Sequence, residues 1–451
     1  MMKRIFTCLA CIAALALTAC TGESQFPTPS GEGVVRGMNA IPGAPTVTFK
    51  IEERVLGVLP YKNSSTPASY DNFSYNFNFD IQVPGEDDPQ RIASVATQIE
   101  NDREYVFVLS GSLANPVVTT WDTELRVWND TETVFEARFA HLAGSLADVD
   151  VYFYNESGPA PVQGEQVATL SYGDVMDISD FEEGSYVALV TAAGDIGTVY
   201  HESSAVLIDA RSSQLISIFD GNANDTSPYI LQSMSSTGQA RRWPDPAYPP
   251  TIRFIHGATT LPAVDIYDDE ALTSLVATNL SVGETTGDIE TAVGEVTWYF
   301  TPTGSTATVL LSQATASPLG TRLDLYIAGT TDDWGVLGLA NDRAPADTSA
   351  KVTLFHSVFE ASAMDLYVVD RGEAIADGAL PTVSLVNYGA STNTLELAAG
   401  SYDLFVTTAF TKTVLGGPYE LDVALGDVVF LLAYDDELNP GSALFGDVSL
   451  P

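Results

Sequence analysis

Cysteine is almost missing from this chain. Cys8, Cys11 and Cys20 are the only three in 451 residues, and all fall within the first twenty. The body therefore has no thiol for a disulfide, a metal site or a nucleophile, and its domains must be held by burial alone. Positive charge is scarce as well: 19 Lys and Arg stand against 59 Asp and Glu, a formal net charge of −40. Beyond Lys3 the only lysines are Lys50, Lys62, Lys351 and Lys412. Such a surface repels nucleic acid and anionic membrane, and it attracts divalent cations, basic partners or simply solvent. Histidine is limited to His141, His201, His256 and His356, with no HExxH pairing. Phosphate loops, dinucleotide fingerprints and a Gly-x-Ser-x-Gly elbow are absent. No long stretch carries a helical hydrophobic period.

The one sustained apolar run is Leu9 to Leu17. It follows Lys3 and Arg4 and ends at Leu17-Thr18-Ala19-Cys20. That run is too short to span a bilayer, so residues 1–20 are expected to be a cleaved signal peptide. The box resembles the bacterial lipobox. The resemblance implies lipidation of Cys20 as the first mature residue, and Thr21 after it implies sorting to the outer membrane. Residues 21–33, rich in Pro, Gly and polar side chains, are expected to be a tether.

What is present is a repeat. RFIHGATTLPAVDIYDD from Arg253 has near-copies in RFAHLAGSLADVDVYFY from Arg138 and TLFHSVFEASAMDLYVV from Thr353. Each reads as an apolar strand ending in His, a small-residue loop, and a second strand with Asp-x-Tyr. The Asp always lies nine positions after the His, giving the pairs His141/Asp150, His256/Asp265 and His356/Asp365. A weaker copy, RGMNAIPGAPTVTFKIE from Arg36, has Asn39 and Thr48 in those places.

Between these motifs, short alternating or wholly apolar runs are punctuated by Gly, Asp, Asn and Ser, which predicts β-strands joined by hairpins. The fold expected is all-β: four tandem immunoglobulin-like antiparallel β-sandwich domains. Their bounds are 34–130 for a divergent first repeat, 131–234, 251–347 and 348–451, with a stiff Pro-rich linker at 235–250. Gly184, Gly294 and Gly400 recur before a strand, where a tight turn asks for positive φ. Repeats this long predict independent domains, and four in line would reach about 120 Å.

Together the motifs resemble the bacterial domain-of-unknown-function family 4397 (DUF 4397). The residues that carry the resemblance are His256 to Tyr267, Asn387-Tyr388-Gly389 with Ser171-Tyr172-Gly173, and Ala399 to Tyr402 with Gly184 to Tyr186. The resemblance implies an immunoglobulin-like sandwich of exported, surface-anchored proteins. It covers repeats two to four and implies no activity.

Candidate sites are few. His beside Asp suggests a base and its orienter, but no nucleophile or oxyanion hole accompanies them. Recurrence once per repeat points instead to a structural hydrogen bond. Asp220, Asn222 and Asn224 alternate like calcium-loop ligands, though Leu231 stands where an EF-hand has Glu. Asp332-Asp333 and Asp435-Asp436-Glu437 form similar acidic tips. Trp298 and Trp128 are expected in the core, whereas Trp243 and Trp334 are the exposed candidates for stacking on a sugar, with Trp334 the better placed. The aromatic positions Phe73, Tyr75, Phe77 and Phe79 alternate on one face, as a core strand or a binding platform. The expected function is a non-catalytic outer-membrane lipoprotein that acts as an envelope spacer or interaction module, without a required cofactor. Its partners would be the membrane through its lipid anchor, an envelope protein or a glycan, and not nucleic acid. A calcium-assisted carbohydrate-binding lipoprotein and a His/Asp hydrolase are the alternatives.

Overall fold

The computed structural model describes residues 28–238, 240–331, 333–359 and 361–449. Cys20, the leader and most of the tether lie outside the described residues, as does Asp332. Within them are 34 strands and no helix. The sequence pattern explains the two kinds of strand. Gln90–Gln98 alternates exposed and covered residues, as a strand with one wet face does. Ala350–Ser357, by contrast, is buried at every position and so packs on both faces.

The strands form eight sheets. In the first unit, Ala68–Asp71, Glu32–Asn39, Arg103–Ser112 and Asn115–Glu124 make one sheet, and Arg54–Leu59, Val47–Ile51, Ser74–Ile81 and Gln90–Gln98 make the other. Between them lies an aromatic core in which the Phe77 and Phe107 rings stack at 4.0 Å and Phe49 tilts against Phe79 at 5.0 Å. The alternation of Phe77 and Phe79 thus serves the core, not an open platform. Three further clusters, around Phe139 and Phe153, around Phe254 and Trp298, and around Leu354 and Leu366, repeat this two-sheet arrangement.

The sheets are not purely antiparallel. In each unit the opening strand lies parallel to a late one: Glu32–Asn39 with Arg103–Ser112, Val134–Leu142 with Ser213–Asp220, Thr251–His256 with Arg322–Thr330, and Ala350–Ser357 with Val428–Asp435. A parallel pair needs a crossover. Here the excursion through the opposite sheet supplies it.

The units are also not independent beads in line. Met38, Val106, Val108 and Trp121 of the first unit share a second buried cluster with Ala140, Leu142, Leu215, Phe219 and Met234 of the next. Ile255 and Tyr326 share another with Phe355, Phe430 and Leu432, where the Tyr326 and Phe355 rings stack at 3.8 Å. The opening strands are apolar on both faces because one face meets its own core and the other meets a neighbouring sheet. The chain is therefore two pairs of sandwiches.

The segment 235–250 also differs from the stiff linker expected. All four of its prolines come at or after Pro244, so nothing stops Ala240–Trp243 from pairing with Tyr229–Ser235 as a fifth strand. Trp243 is 1% exposed and sits in the second unit's core, which corrects the expectation that it is exposed. Arg241 and Arg242 bond to Leu207 and Asp225 within the same unit and do not strap units together. Trp298 is buried as expected, whereas Trp128 is only half-buried, in a connector, with the Arg126 guanidinium stacked on it. Gly184 and Gly294 have positive φ as the turn requires, but Gly400 does not.

Candidate functional site

The repeated His ends the opening strand, and its ring turns back over the small-residue loop that follows. Nε2–H of His356 donates to the Ala361 carbonyl at 2.9 Å, while Nδ1 accepts from the Val358 N–H at 3.1 Å. His141 makes the same two contacts, with Ala147 and Ala143. His256 reaches the Pro262 carbonyl at 3.4 Å, and its Nδ1 has no partner. A ring that accepts a backbone N–H at Nδ1 carries its proton on Nε2, so this is a neutral imidazole. Burial pulls all three below the usual histidine range, His356 to about 4, despite their carbonyl contacts. The divergent unit shows that the role is geometric. Asn39 Oδ1 accepts the Ile41 N–H two residues on, and its Nδ2 donates to Leu59.

The paired Asp does not face the His. Asp265 accepts from the Thr278 hydroxyl and the Asn279 and Gly304 N–H groups, tying its strand to two flanking turns. Burial works to raise this carboxyl, but those donors outweigh it and hold it low. Asp150 binds Thr169 and Gly194 alike, and Asp365 binds the Leu385 and Phe410 N–H groups. Both groups are buried and both bond to backbone, but in two separate sets: the His and the Asp do not bond to each other, as their shared recurrence had suggested.

The proposed calcium ligands are used up by protein donors. Asp220 accepts from the Ser145 hydroxyl and N–H, Asn222 accepts the Asn224 N–H, and Asn224 accepts the Arg343 N–H while donating to Asp342. Asp225 beside them binds Lys62 and Arg242. Among the described residues no group of three His, Cys, Asp or Glu converges as ligands. The loop is a junction: Asn224 touches Asp342, Lys351 binds Asp342 at 2.6 Å and the Ala344 carbonyl, and the Asp347 N–H donates to Gly43. All four units meet around a cavity of about 200 Å³ there.

Lys62 reaches that junction from a backbone conformation that glycine holds in the other units. In three units a glycine follows the opening strand's partner turn and donates its N–H to the motif His: Gly173, Gly283 and Gly389, at φ of 91°, 81° and 74°. Lys62 holds the same place, bonding Asn39 at φ 70°. Side chains rarely adopt that conformation. Just before it, Tyr61 donates to the Asp220 carbonyl, whereas Tyr172 and Tyr388 accept from Gly111 and Gly329 of the neighbouring unit. The Tyr-Gly motif thus joins sandwiches within a pair. The sequence displayed the motif but not its destination.

Trp334 is half-buried. It packs on the third core with its indole N–H donating to Thr260 at 3.0 Å, so it offers less face than an exposed hairpin tip would. A more enclosed cleft, of about 190 Å³, lies between the first and second sandwiches, bordered by Arg36, Arg126, Arg138 and Trp128. No sequence motif marked it, although Arg36, Arg138 and Arg253 occupy the same place three residues before the motif His or Asn.

A family model described as "Domain of unknown function (DUF4397)" matches residues 33–152 and 250–367. Each match opens at the first strand of a pair and closes on the Tyr of the Asp-x-Tyr of its second sandwich, Tyr152 and Tyr367. No curated protein matches the chain. Among solved structures, the Bacillus anthracis TIE protein is similar at 10% identity and a TM-score of 0.15, over 91% of this chain and 69% of that one. A substituted form of BcpA, the major pilin subunit of Bacillus cereus, is similar at 9% identity and a TM-score of 0.15, over 68% of this chain and 100% of that one.

Proposed function

The chain belongs to the DUF4397 family, and on that premise we propose that it is a non-catalytic module of the cell envelope, held at the outer membrane by lipid on Cys20. The observation that carries this reading is the use of the motif residues. In each of the three copies that have them, the His and the Asp are buried and bonded to backbone, leaving neither free to act on a substrate. What the module offers is its outer faces, strongly acidic and carried on paired sandwiches. It acts as a spacer or as a docking surface for an envelope partner.

Expression of the wild-type chain and of Cys20→Ser in a Gram-negative host tests this. The wild type is expected to incorporate labelled palmitate and fractionate with outer membrane, and Cys20→Ser to be released with an unchanged melting temperature. Absence of label on the wild type would remove the anchor and the envelope role with it. Ester or glycoside turnover that disappears in both His256→Asn and Asp265→Asn would replace the module with an enzyme.

A further inference from the structure

Arginine is buried at both interfaces between paired sandwiches, in a chain with few basic residues to spend. Arg36 crosses from the first unit to donate to the Ser235 and Ser236 carbonyls of the second, at 2.6 Å each. Arg253 crosses from the third to the Val448 carbonyl of the fourth and pairs with Asp324 at 2.8 Å. Both guanidinium groups are paired, as buried charge requires.

Arg138 is the exception. It stands on the second unit's opening strand where Arg36 stands on the first. The register places Arg36 beside Val106 and then Trp121, and Arg138 beside Leu215 and then Met234. By that correspondence, Arg138 should reach the carbonyls of Asp122 and Thr123. It makes neither contact. Arg138 is 6% exposed, and among the described residues it has no hydrogen bond and no ion pair. The carboxylates nearby are engaged elsewhere: Glu104 with Arg36, Glu136 with Arg126, and Asp122 with Arg103. Its side chain borders two clefts, of about 190 and about 270 Å³, which between them also carry Asp122, Thr123 and Ile178.

We propose that the cleft between the first two sandwiches binds a small organic monocarboxylate, whose carboxylate is received by Arg138. A guanidinium fork matches the two oxygens of a carboxylate. Val106, Leu125, Trp128 and Leu215 give an apolar wall for the rest of the molecule. Glu104, Glu124 and Glu136 on the same cleft repel a dianion such as phosphate more strongly than a monoanion. The volume of about 190 Å³ limits the ligand to a short-chain acid. This site stands apart from the envelope role and holds or fails without it.

The test uses the soluble Cys20→Ser chain, titrated with hexanoate by calorimetry and melting, with phosphate and sulfate as comparisons. Saturable binding of hexanoate, absent for the inorganic anions, is expected. Arg138→Met should weaken it about tenfold or more, as loss of a charge-assisted bidentate contact does. Without ligand, that variant should melt no lower than its parent, because it removes an unpaired buried charge. Ile178→Glu supplies an internal carboxylate to the same cleft and should abolish hexanoate binding while raising the melting temperature. No binding to the parent chain overturns the proposal. So does binding that survives both substitutions.

Discussion

At the scale of single residues, the motif His is a neutral wedge, and its chemistry fixes a pH dependence. His356 titrates near 4 in the fold against an ordinary value of 6.5, so between these pH values the unfolded chain binds the proton that the fold refuses. Stability is therefore full above about pH 6.5 and falls as pH drops toward 4, by roughly 3 kcal/mol for this residue. Urea midpoints of the soluble chain between pH 7 and pH 4 should show the loss, and a flat profile would contradict it. Asn39 indicates the substitution that keeps the loop. His356→Asn should retain the acceptor for the Val358 N–H, cost about 1–2 kcal/mol, and remove this residue's share of the pH dependence while His141 and His256 keep theirs. His356→Ala leaves the Ala361 carbonyl and the Val358 N–H unpaired and should cost more, about 2–4 kcal/mol. The sequence showed the His and Asp and their constant spacing, and so pointed to structure over catalysis. It could not show that the two side chains face different turns, because spacing along two strands does not say which way a carboxylate reaches.

At the scale of the element, the turn after each opening strand's partner is where the first unit departs from the rest. Lys62 adopts a glycine's backbone in order to place an ammonium on Asp225. Burial lowers the Lys62 ammonium's affinity for its proton, and Asp225 opposes that. Lys62→Gly should relieve about 1 kcal/mol of backbone strain yet lose a buried ion pair, for a net destabilisation of roughly 2 kcal/mol. Adding Asp225→Asn should return part of that loss, as a double-mutant cycle in urea would show. The same loop makes a metal-free prediction. Millimolar calcium against chelator should leave the melting temperature unchanged, whereas occupancy at a hundred times Kd would add about 2.7 kcal/mol. The alternating Asp and Asn of this loop were legible. The donors to Asp220 and Asn224 come from Ser145 and Arg343, far away in the chain, and so were not.

At the scale of the whole molecule, the all-β character followed from periodicity and the presence of repeats from the recurring motif, but the packing of one sandwich on the next did not follow from either. Its signal was faint in the opening strands, where KVTLFH and RFIH carry adjacent apolar residues, Leu354-Phe355 and Phe254-Ile255, as a strand covered on both faces does. Repeat length alone pointed to four independent domains in line. Small-angle scattering separates the two arrangements. A compact chain of this length has a radius of gyration of about 22 Å, while a rod of about 120 Å gives about 35 Å. A value near the lower figure is expected. Phe355→Ala, which removes one ring of the Tyr326 stack, should cost about 3–5 kcal/mol and expose both faces of that interface.

The parallel pairing of first and late strands carries a consequence in time. The chain emerges amino terminus first, so Glu32–Asn39 must wait for the whole excursion through the opposite sheet before Arg103–Ser112 is there to pair with. Until then its unit is an open-edged sheet, and long-range parallel pairing is slow even when both strands exist. Completion of one sandwich does not end the exposure, because Met38, Val106 and Trp121 still face outward until the second sandwich closes over them. The pair is thus the smallest length of this chain that can leave its chaperones without a sticky face, and truncation between Asp130 and Thr131 should yield aggregate.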